Sequence, residues 1–208
     1  RLMHDDRPPA PLPDLPAEGR MTMRVLAPAA EEAPDSSLSH MFATLLPRVG
    51  AAASGFEMVG GRLDVPGLLA RLARATDRGE PVLLAGTAFA FVHLLEEMEA
   101  RGTRLVLPAG PRIMETGGFK GRPREVARDA FHAWLSERRG VPEERIVNQY
   151  GMTELGSQFH DSVLRFPGTP RRKLGPPWTR VRILDPRTGA EAAPGEPGLV
   201  TIVDLANT

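Results

Sequence analysis

The chain has 208 residues, 41% of them hydrophobic and 25% charged, which is enough for one well-buried domain and too few for two large ones. Its 26 basic and 26 acidic residues cancel, so there is no electrostatic case for nucleic acid or an anionic membrane as partner. Cysteine is absent, which excludes disulfides, thiolate metal sites and a cysteine nucleophile within the chain. No apolar run approaches the roughly 20 residues that span a bilayer, and no cationic segment leads into an apolar core as in a signal peptide, so the expected location is cytoplasmic.

Prolines at 8, 9, 11, 13 and 16 prevent a regular element in residues 1–20, which read as a surface connector. Met21 to Pro28 is predicted as a strand, and Asp35-Ser36-Ser37 supplies an N-cap for a helix through Leu38, Met41, Phe42 and Leu45. Val65, Leu68, Leu69, Leu72 and Ala73 recur at helical spacing between Leu63 and Gly79. Pro81 to Gly86 is a buried-type strand, Thr87 caps a helix carrying Phe91, Val92, Leu95 and Met98, and Thr103 to Leu107 reads as a further strand. A short strand then ends in the Gly117-Gly118 loop, and a helix is predicted from about Pro123 to Arg139. The alternation predicts an α/β fold with a mostly parallel sheet flanked by helices, whose binding loops lie at the carboxyl edge of the strands. After Gly175-Pro176-Pro177, Trp178 to Leu184 and Gly198 to Leu205 read as an antiparallel hairpin. The expected organisation is a connector over 1–20, an α/β unit over 21–177 with the binding loops, and over 178–208 the start of a following unit.

The chemistry concentrates in Val147-Asn148-Gln149-Tyr150-Gly151-Met152-Thr153-Glu154-Leu155-Gly156-Ser157-Gln158, a turn following a strand. Tyr150 offers a flat face for a base, Gly151 permits close backbone approach, and the Thr153 hydroxyl can donate to a phosphate oxygen. Glu154 is the hard oxygen ligand that Mg²⁺ takes together with phosphate oxygens and water. The plainer reading of the segment is a strand-to-loop turn with a capping threonine and a solvated glutamate. The phosphate loop G-x-x-x-x-G-K-[ST], the dinucleotide fingerprint G-x-G-x-x-G, H-E-x-x-H and the G-x-S-x-G elbow are all absent.

The order N-x-Y-G-x-T-E at 148–154 resembles the signature of the acyl-adenylate-forming superfamily. Two more segments stand in that superfamily's order: Arg112 to Arg122 with its Gly-Gly loop, and Val181-Arg182-Ile183-Leu184-Asp185-Pro186-Arg187-Thr188-Gly189 followed by Pro194-Gly195-Glu196-Pro197-Gly198. From Glu115 to Asn207 the chain is most similar to the acyl-protein synthetase of bacterial bioluminescence operons, the LuxE-type family. The phenylacetate-CoA ligases are the runner-up, but their Gly-Pro-Gly continuation is missing here. The resemblance implies ATP-dependent activation of a carboxylic, fatty acid as acyl-adenylate, with ATP and Mg²⁺ as cofactors and transfer to an acceptor protein or CoA. It assigns adenine contacts to Gly117, Gly118, Asn148, Tyr150 and Gly151, the α-phosphate to Thr153 and Mg²⁺ to Glu154. In the bioluminescence enzymes a cysteine carries the acyl group, so here that residue lies outside the chain or the acceptor differs. The Ser/Thr/Gly-rich phosphate loop, the ribose-binding aspartate and the catalytic lysine are not in this sequence, which therefore reads as a fragment, truncated at both ends and inactive alone. Weaker candidates are Lys120 and Arg122 for a phosphate or carboxylate, His40 for the acyl pocket, and His160-Asp161 for the acid site. His4-Asp5-Asp6 has metal-binding residue types but reads as an acidic patch. A non-catalytic α/β nucleotide- or protein-binding module is the competing reading from another class.

Overall fold

A computed structural model describes residues 20–103, 107, 110, 112–117, 128–139 and 141–207. Along the chain run β1 (Thr22–Leu26), α1 (Ser37–Val49), β2 (Gly55–Phe56), β3 (Met58–Val59), β4 (Arg62–Leu63), α2 (Val65–Asp77) and β5 (Val82–Thr87). There follow α3 (Ala88–Ala100), β6 (Arg112–Thr116), α4 (Arg128–Arg139), a 3₁₀ turn (Glu143–Arg145), β7 (Ile146–Tyr150), β8 (Phe159–Asp161) and β9 (Lys173–Leu174). The last two strands are β10 (Thr179–Leu184) and β11 (Leu199–Asp204). The predicted connector and the strand at 103–107 fall largely outside the described residues, as do the first residues of the last predicted helix.

The main sheet has seven strands in the order β2-β1-β5-β6-β7-β8-β9. From β2 to β7 all pairs are parallel, whereas β8 and β9 add antiparallel strands at one edge. The chain passes from β1 to β2 on one side and then to β5 on the other. That reversal opens a crevice at the carboxyl ends of the strands, the place where open α/β sheets receive ligands. The hairpin β10–β11 is antiparallel as predicted, and forms a sheet of its own.

Helix starts follow the capping residues. Ser36 accepts from the Ser39 N–H at 3.2 Å, Asp64 from Gly67 at 3.0 Å, and Thr87 from Ala90 at 3.1 Å. The second helix begins at Val65 rather than Leu63, because Leu63 belongs to β4 and Asp64 takes the cap. Strand alternation then builds two cores. Leu26, Leu84, Ile113 and Ile146 face α2, α3 and α4, where Leu68, Leu72, Phe91 and Phe131 are fully buried. On the opposite face Val25, Ala85 and Phe42 form a smaller core with Leu38, Met41 and Met114 under α1.

One buried charge ties the edge of this fold together. Glu57 is 1% exposed, and its carboxylate accepts from Arg24 at 3.2 Å and from Arg71 Nε at 3.1 Å. Arg71 reaches on to Asp64 at 3.1 Å, so β1, the β2–β3 junction and α2 share one ion network. Burial lowers the Arg24 pKa, and Glu57 opposes that shift. Removing one member strands the others in low dielectric. Glu57→Gln is therefore expected to destabilise the fold by about 3 kcal/mol, measured as a lowered midpoint of equilibrium denaturation.

Candidate functional site

Strands β6 and β7 pair in parallel with Ile113 opposite Ile146 and Thr116 opposite Gln149. Their ends are therefore level, and Gly117 leaves the sheet beside Tyr150. Gly117 turns with φ +85°, a conformation that side-chain-bearing residues rarely adopt, although among the described residues beyond its chain neighbours no atom lies within 4 Å of where a Cβ would stand. Gly118, Lys120 and Arg122 lie outside the described residues, as does His4-Asp5-Asp6. Period-two alternation sends Glu115, Asn148 and Tyr150 toward the α2–α4 face, and Thr116 and Gln149 toward α1.

On the α2–α4 side lies a continuous polar chain. His132 Nε2 is 3.0 Å from Glu115 Oε1, both side chains being buried. Asn148 Nδ2 donates to the Glu115 carbonyl at 3.4 Å, and Lys173 Nζ donates to the Asn148 carbonyl at 2.8 Å and also to Asn148 Oδ1. Asp161 accepts from Lys173 at 2.8 Å, from the Asn148 N–H at 3.0 Å and from Arg171 at 2.9 Å. Arg171 also donates to the carbonyls of Ile146 and Glu143, each at 2.7 Å. Asn148 is thus 2% exposed with its amide engaged inside the protein. Burial pushes the Asp161 carboxyl up, but the Lys173 bond, the Asn148 N–H and Arg171 outweigh it and hold the group below its ordinary 3.8. Burial, aided by Lys173, lowers the neighbouring His160.

On the α1 side a pocket of about 210 Å³ opens between Ser37, Leu38 and Met41 of α1, Thr116, Gln149 and the loop that follows β7. Gly151 and Thr153 line it; Gly117, Asn148, Tyr150 and Glu154 do not. Tyr150 is 37% exposed and meets Phe159 edge-on at 6.4 Å between ring centres, so it is no buried core plug. Thr153 and Glu154 are exposed on the same loop. His40 stands apart: it is exposed, and its Nε2 lies 2.8 Å from the Pro34 carbonyl.

The loop is pinned from the hairpin side. Ser157 donates to Asp204 at 2.9 Å and accepts from Trp178 Nε1 at 2.8 Å. Asn207 Nδ2 donates to the Glu154 carbonyl at 2.5 Å, and a Cβ on Gly156 would stand 2.9 Å from the Ala206 carbonyl oxygen. Reading the sequence singled out neither Gln149 nor Thr116, nor the Lys173 and Ser157 anchors. For Gln149 the signal was available, because strand alternation sets it opposite its two flagged neighbours.

Residues 35–203 match the family described as AMP-binding enzyme. The chain belongs to that family. It is 26% identical over 155 residues to a long-chain-fatty-acid–luciferin-component ligase of Vibrio harveyi, and over 157 residues to that of Aliivibrio fischeri. Each match covers 74% of this chain, which spans only 39% of the length of these curated relatives. The solved structure of ATP-bound MatB from Rhodopseudomonas palustris is similar with a TM-score of 0.55 at 18% identity, covering 91% of this chain and 33% of that one. That likeness is one of fold, a mostly parallel sheet with helices and added antiparallel strands.

Because the Asp161 pKa is depressed on folding, its stabilising contribution is present above about 3.8 and is lost as pH falls through the lower folded value. Asp161→Asn is expected to cost about 2–3 kcal/mol at neutral pH. The difference from wild type should shrink as unfolding is followed down through strongly acid pH.

Proposed function

We propose that the protein of which this chain is part activates a carboxylic acid with ATP and transfers the acyl group to an acceptor protein. The observation that carries the reading is the arrival of Gly117 and the Tyr150-Gly151-Met152-Thr153-Glu154 turn side by side at the carboxyl edge of the sheet, on a chain of the AMP-binding enzyme family. Residues 21–177 act as the adenylation unit in this scheme, with residues 1–20 as connector and 178–208 opening the next unit.

The substrate carboxylate attacks the α-phosphorus of ATP, forming acyl-adenylate and expelling pyrophosphate. The exposed Tyr150 ring stacks on the base while the backbone at Gly117 and Gly151, with Gly118 next in line, lies close to it. Asn148, at the family's adenine-edge position, holds the end of β7 in place through Lys173 and Glu115. Thr153 donates to the α-phosphate. Glu154 suits Mg²⁺, which takes one or two carboxylates and completes its shell with phosphate oxygens and water. Among the described residues no group of three His, Cys, Asp or Glu side chains builds an all-protein metal cage, which fits a cation that arrives with the nucleotide. When bound, that ion neutralises the charge gathering on the departing pyrophosphate. The acid is read as fatty and the acceptor as a protein, because both curated relatives are named as long-chain-fatty-acid–luciferin-component ligases. Among the described residues no helix is long and apolar enough to cross a membrane.

In the full-length protein, Glu154→Gln should keep the fold and lower acid-dependent pyrophosphate exchange into ATP by about 10²-fold at limiting Mg²⁺. Exchange at the wild-type rate would make Glu154 an ordinary surface glutamate. Incubation with ATP and labelled acids should label an acceptor protein without added CoA. Rapid accumulation of acyl-CoA with no labelled protein would instead favour the acid–CoA ligase reading.

A further inference from the structure

Lys173 stands on β9, the outermost strand of the main sheet, yet its ammonium reaches back past β8 to β7. Its Nζ donates at 2.8 Å to the Asn148 carbonyl and at 2.8 Å to Asp161 Oδ1, and it also donates to Asn148 Oδ1. An ammonium only donates, so this contact decides which end of the Asn148 amide is the oxygen. Nδ2 is thereby turned toward β6, where it donates to the Glu115 carbonyl at 3.4 Å. Glu115 is the register partner of Asn148 and stands two residues before Gly117. The series Asp161, Lys173, Asn148, Glu115 therefore runs from the edge strands to the root of the Gly117 turn.

The same bonds limit what Asn148 can do for a base. Asn148 and Tyr150 share one face of β7, so a base stacked on Tyr150 has Asn148 as its neighbour along the strand. The amino group of adenine is a donor and needs an acceptor. Asn148 Oδ1 is already bonded to Lys173, and the residue's 2% exposure leaves no open side for a second donor. Giving up the Lys173 bond would take a partner from an ammonium that is only partly hydrated, which is costly. Asn148 therefore serves the nucleotide by tying β7 to β6.

We infer that Lys173 is a positioning residue for the nucleotide: through the Asn148 amide it holds the Gly117 turn level with Tyr150, and Asn148 does not read the adenine edge. This rests on the adenylation reading above. A platform held from behind in this way contributes to nucleotide affinity without contributing to the choice of base.

The test compares the full-length wild type with Lys173→Met, Asn148→Leu, the double variant and Arg171→Met. Pyrophosphate exchange gives KM for ATP, for the acid, and for inosine triphosphate, which has a carbonyl in place of the adenine amino group. Thermal unfolding gives the Tm of each protein. Arg171→Met is the control for stability, since Arg171 holds the same Asp161 carboxylate at 2.9 Å but makes no bond to the Asn148 amide. Lys173→Met should raise KM for ATP about tenfold and leave KM for the acid within about twofold. Asn148→Leu should do the same, and the double variant should be no worse than either single one. The ratio of KM values for the two nucleotides should stay at the wild-type value throughout. Arg171→Met should lower Tm comparably while keeping KM for ATP. An equal rise in Arg171→Met, or a joint rise for ATP and the acid in Lys173→Met, makes Lys173 a stabilising residue only and overturns the inference. So does a nucleotide preference that collapses in Asn148→Leu, because Asn148 then reads the base. If no acid supports exchange by wild type, the adenylation reading falls, and calorimetric titration of ATP onto the same proteins decides the role of Lys173 separately. Should Lys173→Met fail to fold, Lys173→Arg, which keeps the pair with Asp161 but not the compact ammonium, carries the same comparison.

Discussion

The in-register parallel pairing of β6 with β7 is the constraint on which the site depends. It sets Thr116 beside Gln149 and so delivers Gly117 and Tyr150 to one level of the sheet edge, although 33 residues separate each pair in sequence. A slip of one residue would exchange the two faces of β7, turning Asn148 toward α1 and Gln149 into the His132–Glu115 layer. The hydrophobic residues forbid that slip. Ile113 and Ile146 belong to the core under α2–α4, and Met114 packs under α1, so the register that buries them also orients the polar residues between them.

Strand β7 is a junction, parallel on one side and antiparallel on the other, and its outer edge is satisfied in an unusual way. Only Gln149 and Tyr150 have register partners on β8. Further back, Asp161 accepts the Asn148 N–H while Lys173 and Arg171 take the carbonyls of Asn148, Ile146 and Glu143. Charged side chains thus replace a neighbouring strand along half of β7, meeting the requirement that buried backbone groups be paired. The two cations and one carboxylate hold one another, which makes the arrangement costly to break at any single member.

Legibility in the sequence tracked the range of the interaction. Helix starts at Ser36 and Thr87 were readable because a cap acts over three residues, and the apolar run at 81–86 announced the buried strand found at Val82–Thr87. The Tyr-Gly-Met-Thr-Glu turn was readable as a composition following a strand, which the structure places at Ile146–Tyr150. Strands β2, β3 and β4, two residues each, lie below the length at which alternation is visible. The addition of β8 and β9 was hidden for another reason: what draws them to β7 is ionic pairing between Asp161 and the cations at 171 and 173, which leaves no hydrophobic period. The acyl-pocket role for His40 came from the family resemblance alone; in the structure its ring lies against the Pro34 carbonyl, ahead of the N-cap.

The loop carrying Thr153 and Glu154 has few anchors of its own within the main sheet, and its geometry is borrowed from the hairpin. Trp178 at the entry to β10 and Asp204 at the end of β11 both bond Ser157, so the two ends of the hairpin converge on one hydroxyl. Asn207 fixes the Glu154 carbonyl, which orients the backbone and leaves the carboxylate facing outward. At Gly156 the Ala206 carbonyl passes too close for any Cβ without a shift, so glycine there is a packing requirement. Segments of the loop and the hairpin 47 residues apart therefore form one structural unit. The position of the hairpin and the direction in which Thr153 and Glu154 point are set by the same hydrogen bonds.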